Sequence, residues 1–72
     1  MKKLKFTEIS DILEKIVDQE TLAFTIACLG NICSEKSEHI LTTWQDEHTA
    51  KNWDRVCIQL ARLALSTEKL GI

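Results

Sequence analysis

The chain has 72 residues, a net charge of −2 at pH 7, two glycines and no proline. This length allows one domain, the near-neutral charge gives no overall nucleic-acid signal, and no apolar run approaches the roughly 20 residues that span a bilayer. The scarcity of glycine and proline disfavours loops and favours long helices. We therefore expect a single all-α domain over residues 1–72, a small bundle of three helices that does not bind a membrane.

Three cysteines, Cys28, Cys33 and Cys57, lie within apolar helical patterns, where a free thiol behaves as a small hydrophobic side chain. Their odd number, and the lack of an apolar run after the basic start MKKLKF, predict free thiols and a cytoplasmic location. No C-x-x-C spacing, P-loop or dinucleotide glycine pattern is present. We expect no enzyme activity and no cofactor.

Residues 1–6 are predicted to form a frayed basic arm that ends in Phe6, a packing anchor. Thr7 is a favourable N-cap residue, so a first helix is predicted over residues 8–18. Apolar residues recur there with the spacing of one helix face, and carboxylates occupy the opposite face. The apolar residues are Ile9, Ile12, Leu13, Ile16 and Val17, and the acidic ones are Asp11, Glu14 and Asp18.

The second helix is predicted over residues 20–46. Gly30 and the serines that follow it could end this helix, which leaves open a break near residues 34–37. A continuous helix is favoured because Ile40 and Trp44 stay in phase with the apolar line of its first half. One edge of this helix is lined by small residues that would let another helix approach closely: Ala23, Ala27, Gly30, Ser34 and Ser37.

The polar segment at residues 45–49 predicts a turn, capped by Asp46 or Thr49, and a third helix over residues 49–69. Trp44 and Trp53 bracket this turn and are predicted to clamp the two helices together. The core stripe of the third helix follows helical spacing. It consists of Trp53, Val56, Cys57, Leu60, Leu63 and Ala64.

Self-association is predicted from helix lengths. A second helix of about 27 residues would be about 40 Å long and the third about 30 Å, so the longer one would protrude with apolar residues uncovered. A homodimer of helical hairpins would cover them. Ile58 and Leu65, one heptad apart, away from the core stripe and flanked by Ala61, predict a second contact surface, the alternative being scattered surface residues. The predicted interface residues are Ala23, Ala27, Gly30, Ile58 and Leu65.

Two polar clusters offer alternatives. A basic stripe on the third helix could follow phosphates, although a solvated helix face is the simpler interpretation; it consists of Lys51, Arg55, Arg62 and Lys69. Metal-capable side chains are also present, but they point away from the apolar line, so they could bind a metal only across an interface. These are Glu35, His39, Asp46 and His48.

The sequence thus predicts a non-enzymatic helical module for protein interaction or regulation. It would act as a homodimer, and this dimer could in turn bind another protein. The alternative is a small nucleic-acid-associated regulator that uses the basic stripe.

Overall fold

The computed structural model describes residues 3–72, and 86% of it is helical, with no strand in this part of the chain. Three helices follow in order: α1 (Phe6–Gln19), α2 (Leu22–Trp44) and α3 (Glu47–Lys69). The predicted all-α class and the three helices are confirmed. Over residues 3–72, no helix combines the length and the apolar character that crossing a membrane requires.

α1 begins earlier than predicted. Its N-cap residue is Lys5, which has extended backbone and no side-chain cap, and Thr7 lies inside the helix rather than before it. The prediction that Phe6 anchors the arm is wrong, because its side chain is 83% exposed. Of the predicted basic arm, Met1 and Lys2 lie outside the described residues, and Lys3–Lys5 precede the helix.

α2 is continuous through residues 34–37, as the phase of its apolar residues favoured. Its first turn is held by two hydrogen bonds. Thr21 Oγ1 accepts from the Phe24 N–H at 3.0 Å, and the Ile72 carbonyl accepts from the Ala23 N–H at 3.0 Å. These bonds satisfy N–H groups that have no partner within the helix. The second bond also ties the end of the chain to the start of α2.

The connection between α2 and α3 is shorter than the predicted turn. Gln45 takes the left-handed conformation with φ of 55°, and Asp46 then caps α3 by accepting from the Thr49 N–H at 3.1 Å and from Thr49 Oγ1 at 2.7 Å. α2 and α3 are consequently equal in length, 23 residues each. The predicted length mismatch is therefore wrong, and α2 does not protrude beyond α3.

α2 and α3 form an antiparallel hairpin, and nearly all tertiary packing lies between them. From α2, Ile26, Gly30 and Cys33 are buried against α3. Near the turn, the buried Ser37 hydroxyl donates to the Ala50 carbonyl at 2.9 Å. The small residues Gly30 and Ser37 allow the two backbones to approach closely.

The core stripe predicted for α3 is only partly covered. Trp53, Cys57, Leu60 and Ala64 are half-buried, whereas Val56 and Leu63 are exposed. The predicted tryptophan clamp is wrong as well, because Trp44 is 71% exposed. One neighbouring helix covers only one stripe of α3, so the rest of its apolar surface stays open.

α1 lies outside the hairpin. It makes a small contact with α2 and, among residues 3–72, none with α3. None of its 14 residues is buried. The molecule is a flat array with principal extents of 38 × 36 × 14 Å. The molecule is therefore less than half as thick as it is wide.

Candidate interaction surface

An open apolar groove of about 880 Å³ runs along one face of the α2–α3 hairpin. Its floor consists of small residues, and its rims carry Phe24 from α2 and Leu65 from α3, both more than half exposed. Glu68 is the one charged side chain among the described residues that line it. The lining is Thr21, Ala23, Phe24, Ala27, Gly30, Asn31, Ser34, Cys57, Ala61, Ala64, Leu65 and Glu68.

The groove brings together four of the five residues that were predicted from the sequence to form an interface. Ala23, Ala27, Gly30 and Leu65 all line it. Ile58, 52% exposed, precedes Leu65 by one heptad and so shares its side of α3. Most of the small-residue edge of α2 and Leu65 of the second contact surface therefore line the same groove.

Gly30 has a role within the chain that the sequence left undefined. It is buried, and an ideal Cβ built on it would lie 3.6 Å from Leu60 Cβ and 3.8 Å from the Cys57 carbonyl oxygen. The helix that approaches Gly30 is thus α3 of the same chain. Ala27, one turn earlier and exposed, remains open to a neighbour in the groove.

The basic stripe lies outside the groove. Lys51, Arg55, Arg62 and Lys69 are all exposed, and none of them lines the groove. At about 100° per residue they fall beside Ile58 and Leu65, on the side of α3 turned away from α2. The basic stripe therefore points away from the packed contact between α2 and α3.

The apolar stripe of α1 is a second uncovered surface. Ile9, Ile12, Leu13 and Ile16 are each between 40% and 49% exposed. The opposite side of the same helix carries Asp11, Glu14 and Asp18. An amphipathic helix of this kind is stable when its apolar face packs against another surface.

The side of the hairpin away from the groove is also apolar in part. Ile32 on α2 and Val56 and Leu63 on α3 are 43–50% exposed there. These side chains project from the helices, whereas the groove is concave with a floor of alanine and glycine. The groove therefore has the better shape to receive a helix.

The total accessible surface shows how much of the chain is uncovered. A compact folded monomer of 8.2 kDa exposes about 4,500 Å². The chain exposes 6169 Å², about 1,600 Å² more than that expectation. A standard protein interface buries about 800 Å² on each partner. The excess is therefore enough for an extensive contact.

The metal-capable residues have local partners instead of a common site. Glu35 accepts from Asn31 at 3.1 Å, and His39 lies 3.4 Å from the Thr43 hydroxyl. Over residues 3–72, no three such side chains converge in a way that could hold an ion. His48 lies in the first turn of α3, and the structure does not bring these residues together.

Asp46 acts as a helix cap. Hydrogen bonds from the side chain and the backbone of Thr49 lower the pKa of the Asp46 carboxyl, because they stabilise its charged form. The proximity of His48 lowers that pKa further. This carboxylate caps the first turn of α3, directly after the short connection from α2.

Several residues that line the groove were not predicted to belong to it. Phe24 lies outside the small-residue edge of α2, Cys57 and Ala64 were assigned to the core stripe, and Ala61 was predicted only to flank Ile58 and Leu65. The sequence does contain a signal for the two alanines. Small residues recur on α3 at Cys57, Ala61 and Ala64, a spacing of four and then three that marks one helix face. Antiparallel pairing aligns this face with the small-residue edge of α2.

Comparison of the chain with protein-family models, with curated proteins and with solved structures finds no match.

Proposed function

We propose that this protein is a non-enzymatic helical interaction module that acts as a homodimer. The observation that carries the proposal is the excess accessible surface of about 1,600 Å² over a compact monomer of this mass. Large apolar side chains on all three helices are exposed, in a flat molecule with principal extents of 38 × 36 × 14 Å. A second copy would remove apolar surface from water, and two-fold dimers are the commonest way in which soluble chains do so.

The composition of the groove supports a binding role. Alanine, glycine and apolar side chains dominate its lining, a surface suited to an apolar helix. The three cysteines are free, which supports a reducing, cytoplasmic setting.

Sedimentation equilibrium tests the proposal at micromolar concentrations of the purified chain. We expect twice the mass of the monomer, together with a largely helical circular dichroism spectrum. A folded, compact monomer across the same concentrations would overturn the proposal.

The exposed basic stripe supports a second candidate function, binding of nucleic acid. Such binding would depend on clustered lysine and arginine and would weaken steeply with salt. A labelled mixed DNA or RNA probe at low salt provides the test, with Lys51→Gln/Arg55→Gln as the matched variant. No mobility shift of the probe would exclude this candidate.

A further inference from the structure

We propose that α1 of one copy lies in the α2–α3 groove of a second copy, and that the exchange is reciprocal about a two-fold axis. This inference rests on the proposed homodimer and names the surfaces that form it. In this dimer the apolar stripe of α1 from one copy packs into the groove of the other copy, so that two uncovered surfaces cover each other.

The groove and α1 match in size. The groove follows α2 from Thr21 to Ser34, about 20 Å at 1.5 Å per residue. α1 has 14 residues and is therefore about 21 Å long. The alanine and glycine floor leaves room for the branched side chains of Ile9, Leu13 and Ile16. Branched residues on one helix facing small residues on the other permit close packing of the two.

Charge adds little to this match, so the apolar surfaces carry the contact. On α1, Asp11, Glu14 and Asp18 lie on the side opposite the apolar stripe, so they would face away from the groove. On α3, the basic stripe lies on the side turned away from α2, and none of its four residues lines the groove. Among the described residues that line the groove, the charged one is Glu68.

The short link before α2 explains why the helix comes from another copy. Only Glu20 and Thr21 separate α1 from α2, and both are engaged: the Glu20 N–H donates to the Ile16 carbonyl at 3.0 Å, and Thr21 caps α2. No residue of α1, all of which is described, lines the groove of its own chain. Folding α1 back into that groove would require the link to rearrange and these bonds to break. A second copy can offer its α1 without any such change.

Two single substitutions test the two surfaces one at a time. Ala61→Leu fills the groove from an exposed position on α3, and Leu13→Asp places a charge in the apolar stripe of α1. Matched controls are Gln59→Leu on the exposed back of α3 and Thr7→Asp in the first turn of α1. We expect each test variant to raise the dimer dissociation constant at least about tenfold, and each control to leave it nearly unchanged.

Mixing the two test variants is the decisive experiment. Ala61→Leu retains a normal α1, and Leu13→Asp retains a normal groove. A mixed dimer therefore keeps one intact contact, whereas either variant alone keeps none. We expect dimer in the mixture at concentrations where each variant alone is monomeric. If either variant alone is unfolded, mixing should restore helicity together with the dimer.

The other outcomes are distinguishable. Loss of dimer in Ala61→Leu alone would indicate packing of groove against groove, and loss in Leu13→Asp alone would indicate packing of α1 against α1. Loss in Leu63→Asp, on the opposite face, without loss in Ala61→Leu would place the contact on that face. Each result overturns the exchange while leaving the homodimer intact. A monomeric wild-type chain overturns the proposed function itself.

Discussion

Replacement of Gly30 by alanine should stabilise this protein, although the residue is buried between two helices. The added methyl would lie 3.6 Å from Leu60 Cβ and 3.8 Å from the Cys57 carbonyl oxygen, which is ordinary van der Waals contact. No backbone shift is needed to accept it. Glycine within a helix is less favourable than alanine by about 1 kcal/mol, so that amount should be gained.

For a chain of this size, about 1 kcal/mol corresponds to a rise of about 4–8 °C in Tm. Thermal unfolding followed by circular dichroism measures it. The protein concentration must be held fixed, because association makes Tm depend on concentration. Lys36→Gly, at an exposed position in the same helix, is the matched control and should lower stability by a comparable amount through propensity alone.

A longer side chain at the same position should have the opposite effect. Gly30→Leu would extend beyond Cβ towards Leu60 and Cys57, and overpacking of this kind costs about 1–3 kcal/mol. Ala27→Leu, one turn away and exposed, should leave the hairpin intact. A decrease in Tm for Gly30→Ala would refute the reasoning, because it would mean that α2 and α3 are closer than the structure places them.

Three further substitutions test the hydrogen bonds that define the hairpin. Ser37→Ala removes the buried donor to the Ala50 carbonyl and should lower the free energy of unfolding by about 0.5–1.5 kcal/mol in urea titrations; an unchanged midpoint would contradict the bond. Thr21→Ala removes the N-cap of α2 and should cost about 1 kcal/mol in the same titrations, with Thr21→Ser retaining most of it. The Asp46 carboxylate stabilises the folded chain at pH values above the ordinary pKa of an aspartate, because its pKa is lowered in the folded state. This stabilisation is lost as the pH falls through the lowered pKa. Asp46→Asn should therefore be less stable at neutral pH and lose less stability on acidification, and parallel pH profiles would disprove the assignment.

Helical spacing was sufficient to predict the elements. The apolar residues on either side of Gly30 and Ser34 keep the same helical phase, which predicts a second helix without a break. The structure confirms one continuous helix there. Phase is reliable in this case because a helix that restarts has no reason to keep its register. The ends were less predictable: Thr7 is a good cap residue, yet α1 begins at Phe6, since helix ends fray and a boundary can move by a residue or two at little cost.

The surface was predictable in part for the same reason. The helical spacing of small residues predicted the small-residue edge of α2. The spacing of Ile58 and Leu65 predicted the second contact surface of α3. Which helix occupies that edge could not be predicted, since spacing identifies a face and does not identify its neighbour. α3 of the same chain occupies the part at Gly30, and the groove remains open at Ala27.

The proposed self-association rests on a different feature of the structure from the one that the sequence suggested. Unequal helix lengths would have left one end of α2 uncovered, but α2 and α3 are equal. What remains uncovered is instead distributed over a flat molecule whose first helix has no buried residue. A protruding end needs a partner only at that end, whereas a flat molecule with exposed apolar side chains on all three helices needs cover along a whole face. The contact that would cover this chain is therefore larger than the length mismatch implied, and α1, a helix of matching length with an uncovered apolar stripe, is the element suited to form it.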